Sequence, residues 1–176
     1  MLCERLILRA FGKLLEKKAY EHITVQEIID EADVGRSTFY AHFETKDELL
    51  LAMCTDIFHH VFTQALPKEA EEDYSSGSKN LELKLGHVLF HLNEHRSELS
   101  GILSGESAGI FMNYFRSYIK ELFEMYMNDF KLDVPPAYLL EQLVGSFAET
   151  VKWWIGTKNE YSSEQMAEFF MRIMYK

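Results

Sequence analysis

The chain has 176 residues, of which 47% are hydrophobic and 26% charged, and its net charge is −10. This apolar fraction excludes an intrinsically disordered protein, and a chain of this length can bury a core without disulfides or a structural metal. No apolar stretch reaches the ~18 residues of a membrane helix, and the charged N-terminus does not resemble a signal peptide. Cys3 and Cys54 match no disulfide or zinc spacing. We therefore expect a cytoplasmic protein without a membrane partner.

The negative charge is spread over the whole chain. Residues 1–48 contain seven Lys or Arg against ten Asp or Glu, and the remaining 128 residues contain eleven against eighteen. Neither part is basic in bulk. Any binding to nucleic acid must therefore depend on a small local cluster of positive groups.

Apolar spacing predicts two helices at the N-terminus. The first runs from Glu4 to Lys18. Thr24 and Glu27 have the spacing of a capping box and predict a second helix of about two turns, which ends at 33–35. The apolar positions of these two helices are Ile7, Phe11, Leu14 and Leu15, then Val25, Ile28, Ile29 and Ala32.

Two more helices follow at once. A third, short helix is predicted from Arg36 to Phe43. Thr45, with Glu48 three residues later, predicts the start of a fourth helix that continues to Leu66. The acidic, Ser-containing segment 67–80 predicts a surface loop.

The second half of the chain also predicts helices, so we expect an all-α fold. Segments 81–96, 106–131, 136–156 and 162–175 carry the helical periodicity. The 106–131 segment is apolar nearly all round, which predicts a helix covered on several sides. The apolar positions on the first and last of these helices are Leu81, Leu85, Val88 and Leu92, then Met166, Phe169, Phe170 and Ile173.

Residues 24–43 form a candidate helix-turn-helix. The residue types on the two faces of its second helix, which is the third helix of the chain, indicate what that helix could bind. Phe39 and Phe43 are four residues apart and are predicted to point inward, whereas Arg36, Ser37, Tyr40 and Ala41 are predicted to face outward. From Gly35 to Phe43 there is no acidic residue. Such a face suits a DNA major groove, and two further groups, His42 and Lys46, suit phosphate contact.

The stretch 23–53 resembles the DNA-binding signature of the TetR/AcrR family of bacterial transcriptional regulators. Trp153-Trp154 and the segment 161–167 also resemble one subgroup of this family. The family's pattern is matched at Thr24-Val25, Thr38-Phe39-Tyr40, His42-Phe43 and Lys46-Asp47-Glu48-Leu49.

The resemblance implies a three-helix DNA-binding domain at 1–46 and a larger helical bundle at 47–176 for ligand binding and dimerisation. It implies a homodimeric repressor that a small apolar effector releases from a palindromic operator on double-stranded DNA. The implied DNA-contacting residues are Thr24, Arg36, Ser37, Thr38, Tyr40, His42 and Lys46. The implied ligand-lining residues are Phe90, Phe111, Tyr114, Tyr118 and Trp153. Helices 136–156 and 162–175 would form the dimer, with close approach at the small residues Gly145, Ser146 and Ala148.

Three features depart from the family's pattern. Asp33 occupies the position where the family usually has a glycine that ends the second helix in the left-handed conformation, which Asp tolerates less readily. Gly35 replaces the usual Ser that caps the recognition helix. The basic arm that many members carry ahead of the first helix is almost absent, which puts minor-groove contacts in doubt.

Other patterns leave alternatives open. His87, His91 and His95 recur at helical spacing, but the outer two lie ~12 Å apart along a helix axis. At most two of them could share a metal, with ligands from elsewhere, and we favour the interpretation that they are polar residues flanking the apolar stripe. No catalytic or cofactor-binding motif is present, so we expect neither an enzyme nor a cofactor. The alternatives are a helical small-molecule-binding protein and a regulator whose degenerate pocket takes no effector.

Overall fold

A computed structural model describes residues 2–63, 77–105, 107–158 and 160–174. Over these residues the chain is helical and contains no strand, which confirms the all-α prediction. Short 3-10 turns lie at Tyr20–His22 and Met127–Asp129. The α-helices are α1 (Leu2–Leu15), α2 (Val25–Ala32), α3 (Arg36–His42), α4 (Lys46–Thr63), α5 (Gly77–Glu94), α6 (Arg96–Leu103), α7 (Ala108–Tyr126), α8 (Pro136–Gly156) and α9 (Ser163–Met174).

The chain divides into two compact units. One unit contains residues 1–57 and 95–111, and the other contains residues 58–94 and 112–176. The first turns of α4 and all of α6 thus belong with the N-terminal helices, whereas the predicted domains divide the chain once, after residue 46. That domain assignment stays a prediction.

The N-terminal unit is built around the apolar face of α1. Ile7, Phe11 and Leu15 are buried on α1, and the Phe11 ring meets Tyr20 edge-on at 6.1 Å between centroids. Helices as short as α2 and α3 are not stable alone in water, so they depend on burying side chains against this core. Their buried side chains are Ile28, Ile29, Ala32 and Phe39.

The predicted start of α2 is confirmed, and the left-handed end of α2 forms despite the departure at Asp33. Thr24 and Glu27 form the predicted capping box. Asp33 ends α2 in the left-handed region, with φ 52° and ψ 47°, at the position where the family usually has glycine. Gly35 caps α3 without a side-chain hydrogen bond. At the last helix, the backbone N–H of Gln165 donates to Ser162 Oγ at 3.3 Å, while the N–H of Ser162 donates to Gln165 Oε1 at 2.9 Å.

The helix α6, which packs on α1 in the N-terminal unit, was not predicted from the sequence. At Gly101 a Cβ atom would lie 2.3 Å from the carbonyl oxygen of Leu15, so only glycine allows this approach. The turn after α6 is also bonded to the N-terminal helices, because the backbone N–H of Ser107 donates to Glu21 Oε1 at 2.8 Å. That hydrogen bond is the first cause of the lowered pKa of Glu21. The helix α6 is therefore part of the same packed body as the helix-turn-helix.

In the second unit, α5 packs along α9 and an aromatic cluster fills the core. The Phe147 ring lies 6.1 Å from Phe115, 6.0 Å from Phe123 and 5.1 Å from Phe170, measured between centroids. Trp154 is fully buried, and its Nε1–H donates to the carbonyl of Tyr161 at 3.0 Å. This bond holds the turn between α8 and α9.

Several predicted boundaries are wrong. Residues 77–80 are the first turn of α5 and not part of a loop, while the rest of the predicted loop and the Leu66 end of α4 lie outside the described residues. The first helix ends at Leu15 and not at Lys18. The start of α8 at Pro136 is confirmed.

Two predictions about helix faces are also wrong. The helix α7 is not apolar all round, because Asn113, Arg116 and Glu121 form an exposed polar face. Arg116 and Lys120 on α7 pair with Glu149 and Glu141 of α8. Ile173 is 75% exposed and does not join the buried face of α9.

The close contact of Gly101 with α1 is testable by one methyl group. We expect Gly101→Ala to lower the free energy of unfolding by about 1–3 kcal/mol, because the added Cβ collides with backbone and the two helices must separate. Gly109→Ala is the matched control, since an added Cβ there meets nothing within 4 Å. It should leave stability unchanged or raise it by up to ~1 kcal/mol. Urea unfolding of both variants measures this, and equal stabilities would contradict the packing of α6.

Candidate nucleic-acid interface

The helix α3 presents one buried and one exposed face, as predicted. Phe39 is fully buried and Phe43 is 5% exposed, and their rings lie 6.1 Å apart. Tyr40 is 50% exposed and meets Phe39 edge-on at 5.4 Å. Because burial of the two phenylalanines sets the rotation of the helix, the opposite side chains must face solvent. These are Arg36, Ser37, Ala41 and His42, with Thr38 half-buried beside them.

Thr24 acts as a helix cap. Its Oγ accepts from the backbone N–H of Glu27 at 3.3 Å and donates to Glu27 Oε2 at 2.9 Å, and its own N–H donates to that same oxygen. Lys18 Nζ bonds the other carboxylate oxygen, which holds the pKa of Glu27 at about 2. Both donors of Thr24 are therefore engaged. A phosphate contact by Thr24 stays a prediction, and it requires Glu27 to give up one of these bonds.

Lys46, at the first position of α4, lies against the chain. Its ammonium donates to the carbonyls of Tyr20 and Ile23, both at 2.8 Å, and lies 4.1 Å from the centre of the Tyr20 ring. Burial lowers the pKa of Lys46. An ammonium has three N–H donors, and these bonds use two of them, so a phosphate contact by Lys46 stays a prediction. Lys46 ties α4 to the segment ahead of α2.

The phenol of Tyr20 strengthens this tie. Its hydroxyl donates to the carboxylate of Asp47, the residue after Lys46. Burial, together with this carboxylate, raises the pKa of Tyr20. The Lys46 ammonium and the Asp47 carboxylate, at the start of α4, thus both bond the segment that contains Tyr20. These bonds keep the start of α4 next to the helix-turn-helix.

Arg36 is held by a residue that the sequence analysis missed. Its Nη2 donates to Gln26 Oε1 at 2.6 Å, and Gln26 Nε2 donates in turn to Asp30 Oδ1 at 2.8 Å. All three side chains are exposed. The spacing of Gln26 and Asp30, four residues apart on one helix, was a signal for their own hydrogen bond. Nothing in the sequence indicated that Arg36 would reach them across the turn.

The predicted DNA-contacting residues therefore differ in their surroundings. Arg36, Ser37, Tyr40 and His42 lie on the exposed side of α3, with Thr38 at its edge. Thr24 and Lys46 lie outside α3 and, like Arg36, form hydrogen bonds to other residues of the chain. Acidic residues border the exposed face at Asp33 and Glu44. The positive area is small, in keeping with the charge distribution of the sequence.

The predicted ligand-lining residues have different surroundings. Phe111 is fully buried and belongs to the N-terminal unit. Tyr114 and Tyr118 are half-buried on α7, and the Tyr118 ring lies 5.0 Å from Phe58. Phe90 is 43% and Trp153 is 51% exposed. In the second unit the structure thus brings Tyr118 together with Phe58, a neighbour that the sequence analysis did not name.

Two of the three repeated histidines lie against acidic side chains three residues further along the chain. His91 Nδ1 lies 2.7 Å from Glu94 Oε2, and His95 Nδ1 lies 2.9 Å from Glu98 Oε2. Within the described part of the chain, no group of three or more His, Cys, Asp or Glu residues is arranged to hold a metal ion. Nor does any described helix combine the length and apolarity needed to span a membrane.

Known proteins resemble the chain over both of its halves. Residues 7–53 match the profile of the bacterial regulatory proteins of the tetR family, and residues 79–176 match that of a transcriptional regulator C-terminal region. A helix-turn-helix-type transcriptional regulator of Staphylococcus aureus (strain MRSA252) is 29% identical over 124 residues. This match covers 69% of the chain and 63% of the relative, so it spans less than two thirds of the relative's length.

Solved structures share the fold. A TetR transcriptional regulator from Streptococcus agalactiae 2603V is 31% identical, with a TM-score of 0.77, over 98% of this chain and 93% of that one. The transcriptional regulator FadR from Bacillus subtilis, solved with stearoyl-CoA, has a TM-score of 0.68 over 97% and 96% of the two chains, but at 15% identity it indicates the fold alone. The helix-turn-helix, the match to the family profile and the similarity to the Streptococcus agalactiae regulator agree. The chain belongs to the TetR family of bacterial transcriptional regulators.

Proposed function

We propose that this TetR-family regulator is a homodimeric repressor that binds a palindromic operator and is released by a small apolar effector. The observation that carries the proposal is the acid-free, exposed face of α3, oriented by the burial of Phe39 and Phe43. In this arrangement Arg36 and Tyr40 enter the major groove, where a guanidinium can bond a guanine edge in two places. Ser37, Thr38, Thr24 and His42 contact the DNA around them, and Lys46 contacts a phosphate through its remaining proton.

The dimer forms through α8 and α9 in this proposal. Large apolar side chains are exposed on and between these helices, namely Tyr138, Trp153, Tyr161 and Ile173. Interaction sites typically expose large apolar side chains of this kind. At Gly145 an added Cβ would meet nothing within 4 Å of its own protomer, which leaves room for a second helix. Ala148 does not serve this approach, because it is fully buried inside its protomer.

The effector binds in the second unit, next to α7. Tyr114 and Tyr118 are half-buried one turn apart, and Tyr118 and Phe115 pack on Phe58 of α4 at 5.0 and 5.7 Å. The helix α4 begins at Lys46 beside the helix-turn-helix, so a ligand that moves Phe58 acts on the helix that supports the DNA contacts. FadR, which shares the fold, was solved with stearoyl-CoA, an apolar chain on a polar carrier. A binding protein without DNA function, or a regulator without an effector, is the competing hypothesis.

We expect the wild-type protein to select an inverted repeat from a randomised DNA pool, with half-sites ~34–36 Å apart, because a two-fold dimer presents two related recognition helices.

On the selected duplex, Arg36→Ala should cost about 1–3 kcal/mol of binding free energy and relax the preference at one base pair per half-site. Lys46→Ala should weaken selected and scrambled duplexes about equally and lower the log-affinity against log-salt slope by roughly one unit.

A salt titration of both variants on both duplexes measures these effects. Selection of asymmetric sites would contradict the dimeric operator. If Arg36→Ala weakens both duplexes alike, Arg36 contacts the backbone and not a base. Because Lys46 also ties α4 to the chain, its variant is compared by thermal melting, and only a folded variant with an unchanged slope counts against the phosphate contact.

The dimer interface is tested at Gly145. We expect Gly145→Gln to fold at least as well as the wild type within its protomer, since glutamine favours the helix and space is open there. It should weaken dimerisation by an amount on the order of 1–3 kcal/mol through overpacking at the two-fold axis. Sedimentation equilibrium at micromolar concentration measures this, with Gly109→Gln as the control at an equally open site in the other unit. An unchanged dimer in both variants would rule out close approach at Gly145.

The effector is tested by linkage, with stearoyl-CoA and free stearate as probes. A true effector should raise the melting temperature and weaken operator binding, and the operator must weaken binding of the probe by the same factor, typically about 5–150-fold. Tyr118→Ala should reduce both effects together. Stabilisation by a probe with unchanged DNA affinity would favour the small-molecule-binding alternative.

A further inference from the structure

We propose that Gln26 is a positioning residue for base recognition: it holds the Arg36 guanidinium for the groove and thereby determines specificity at the base pair that Arg36 reads. The inference rests on the proposed function, because it assumes that α3 enters DNA. It starts from the chain of hydrogen bonds from Asp30 through Gln26 to Arg36, at 2.8 and 2.6 Å.

The chemistry of the two outer groups fixes the orientation of the amide between them. A guanidinium can only donate and a carboxylate can only accept. Gln26 must therefore turn its oxygen to Arg36 and its nitrogen to Asp30, although oxygen and nitrogen of an amide are otherwise interchangeable. The three side chains thus form a directional chain in which Asp30 orients Gln26 and Gln26 orients Arg36.

The bond to Gln26 leaves the recognition capacity of Arg36 intact. A guanidinium has five N–H donors, and Gln26 uses one of them. Recognition of a guanine in two places needs two more. Arg36 is exposed at the first position of α3, so without a partner its side chain would sample many rotamers. The bond to Gln26 fixes one rotamer before DNA binds, which reduces the conformational entropy lost on binding.

A neutral partner also suits the charge of this surface. Asp30 is itself exposed on α2, and a direct pair between it and Arg36 would offset the positive charge that the phosphate backbone attracts. An amide satisfies one donor without adding a negative charge. Gln26 thus keeps Arg36 oriented without placing a negative charge beside it, which matters where basic groups near the proposed DNA site are so few.

The test is a double-mutant cycle on the operator selected by the wild-type protein. Dissociation constants are measured for the wild type, Gln26→Ala, Arg36→Ala and the double variant, on the selected duplex, on duplexes with each base substituted along one half-site, and on a scrambled duplex. We expect Gln26→Ala to lose roughly 5- to 100-fold on the selected duplex and to relax preference at the same base pair as Arg36→Ala. The double variant should be no weaker than Arg36→Ala alone, because the two residues act as one unit.

Two further variants separate positioning from folding. Asp30→Asn keeps an acceptor for Gln26 and should retain the preference. Asn113→Ala removes an exposed amide from α7 and should change nothing. Because Gln26 is exposed, its variant should melt within about 2 °C of the wild type.

Three results would overturn the inference: an unchanged base preference in Gln26→Ala, a preference lost at a different base pair, or additive losses in the double variant. The second would mean that Gln26 touches DNA itself. A wild-type protein that selects no duplex is a different result, since it contradicts the proposed function before the role of Gln26 is reached.

Discussion

The exposed face of the seven-residue helix α3 depends on the burial of two phenylalanines, Phe39 within the helix and Phe43 at its C-cap. A helix of two turns is not stable by itself, so α3 exists because Phe39 and Phe43 are packed in the core of the N-terminal unit. The same burial fixes the rotation of the helix about its axis. Every outward side chain, from Arg36 to His42, takes its direction from this constraint.

Around α3, polar side chains form hydrogen bonds that join neighbouring segments of the chain. Lys46 bonds two carbonyls ahead of α2, and Thr24 bonds Glu27. Lys46 thus joins the start of α4 to the segment ahead of α2, and the pair of Thr24 and Glu27 holds the start of α2. The segments of the helix-turn-helix are therefore coupled through these side chains.

The helix α6 extends this coupling beyond the three N-terminal helices. Its backbone approaches α1 at Gly101, and the turn that follows it is bonded to Glu21. The body that carries α3 thus includes a segment that is distant in sequence. The helix α1 is therefore the common support on which α2, α3 and α6 pack.

The amino-acid sequence by itself determined the features that arise within a few residues. The capping box of Thr24 and Glu27 and the opposite faces of α3 involve neighbours up to four positions apart, so the spacing of residues along the chain reveals them. Only the tertiary structure decided the features that depend on distant segments. It buried Trp154 and left Trp153 exposed, placed the ammonium of Lys46 on the carbonyls of Tyr20 and Ile23, and joined Arg36 to Gln26. Such contacts depend on how the helices pack, and periodicity along one helix contains no information about the neighbour it will meet.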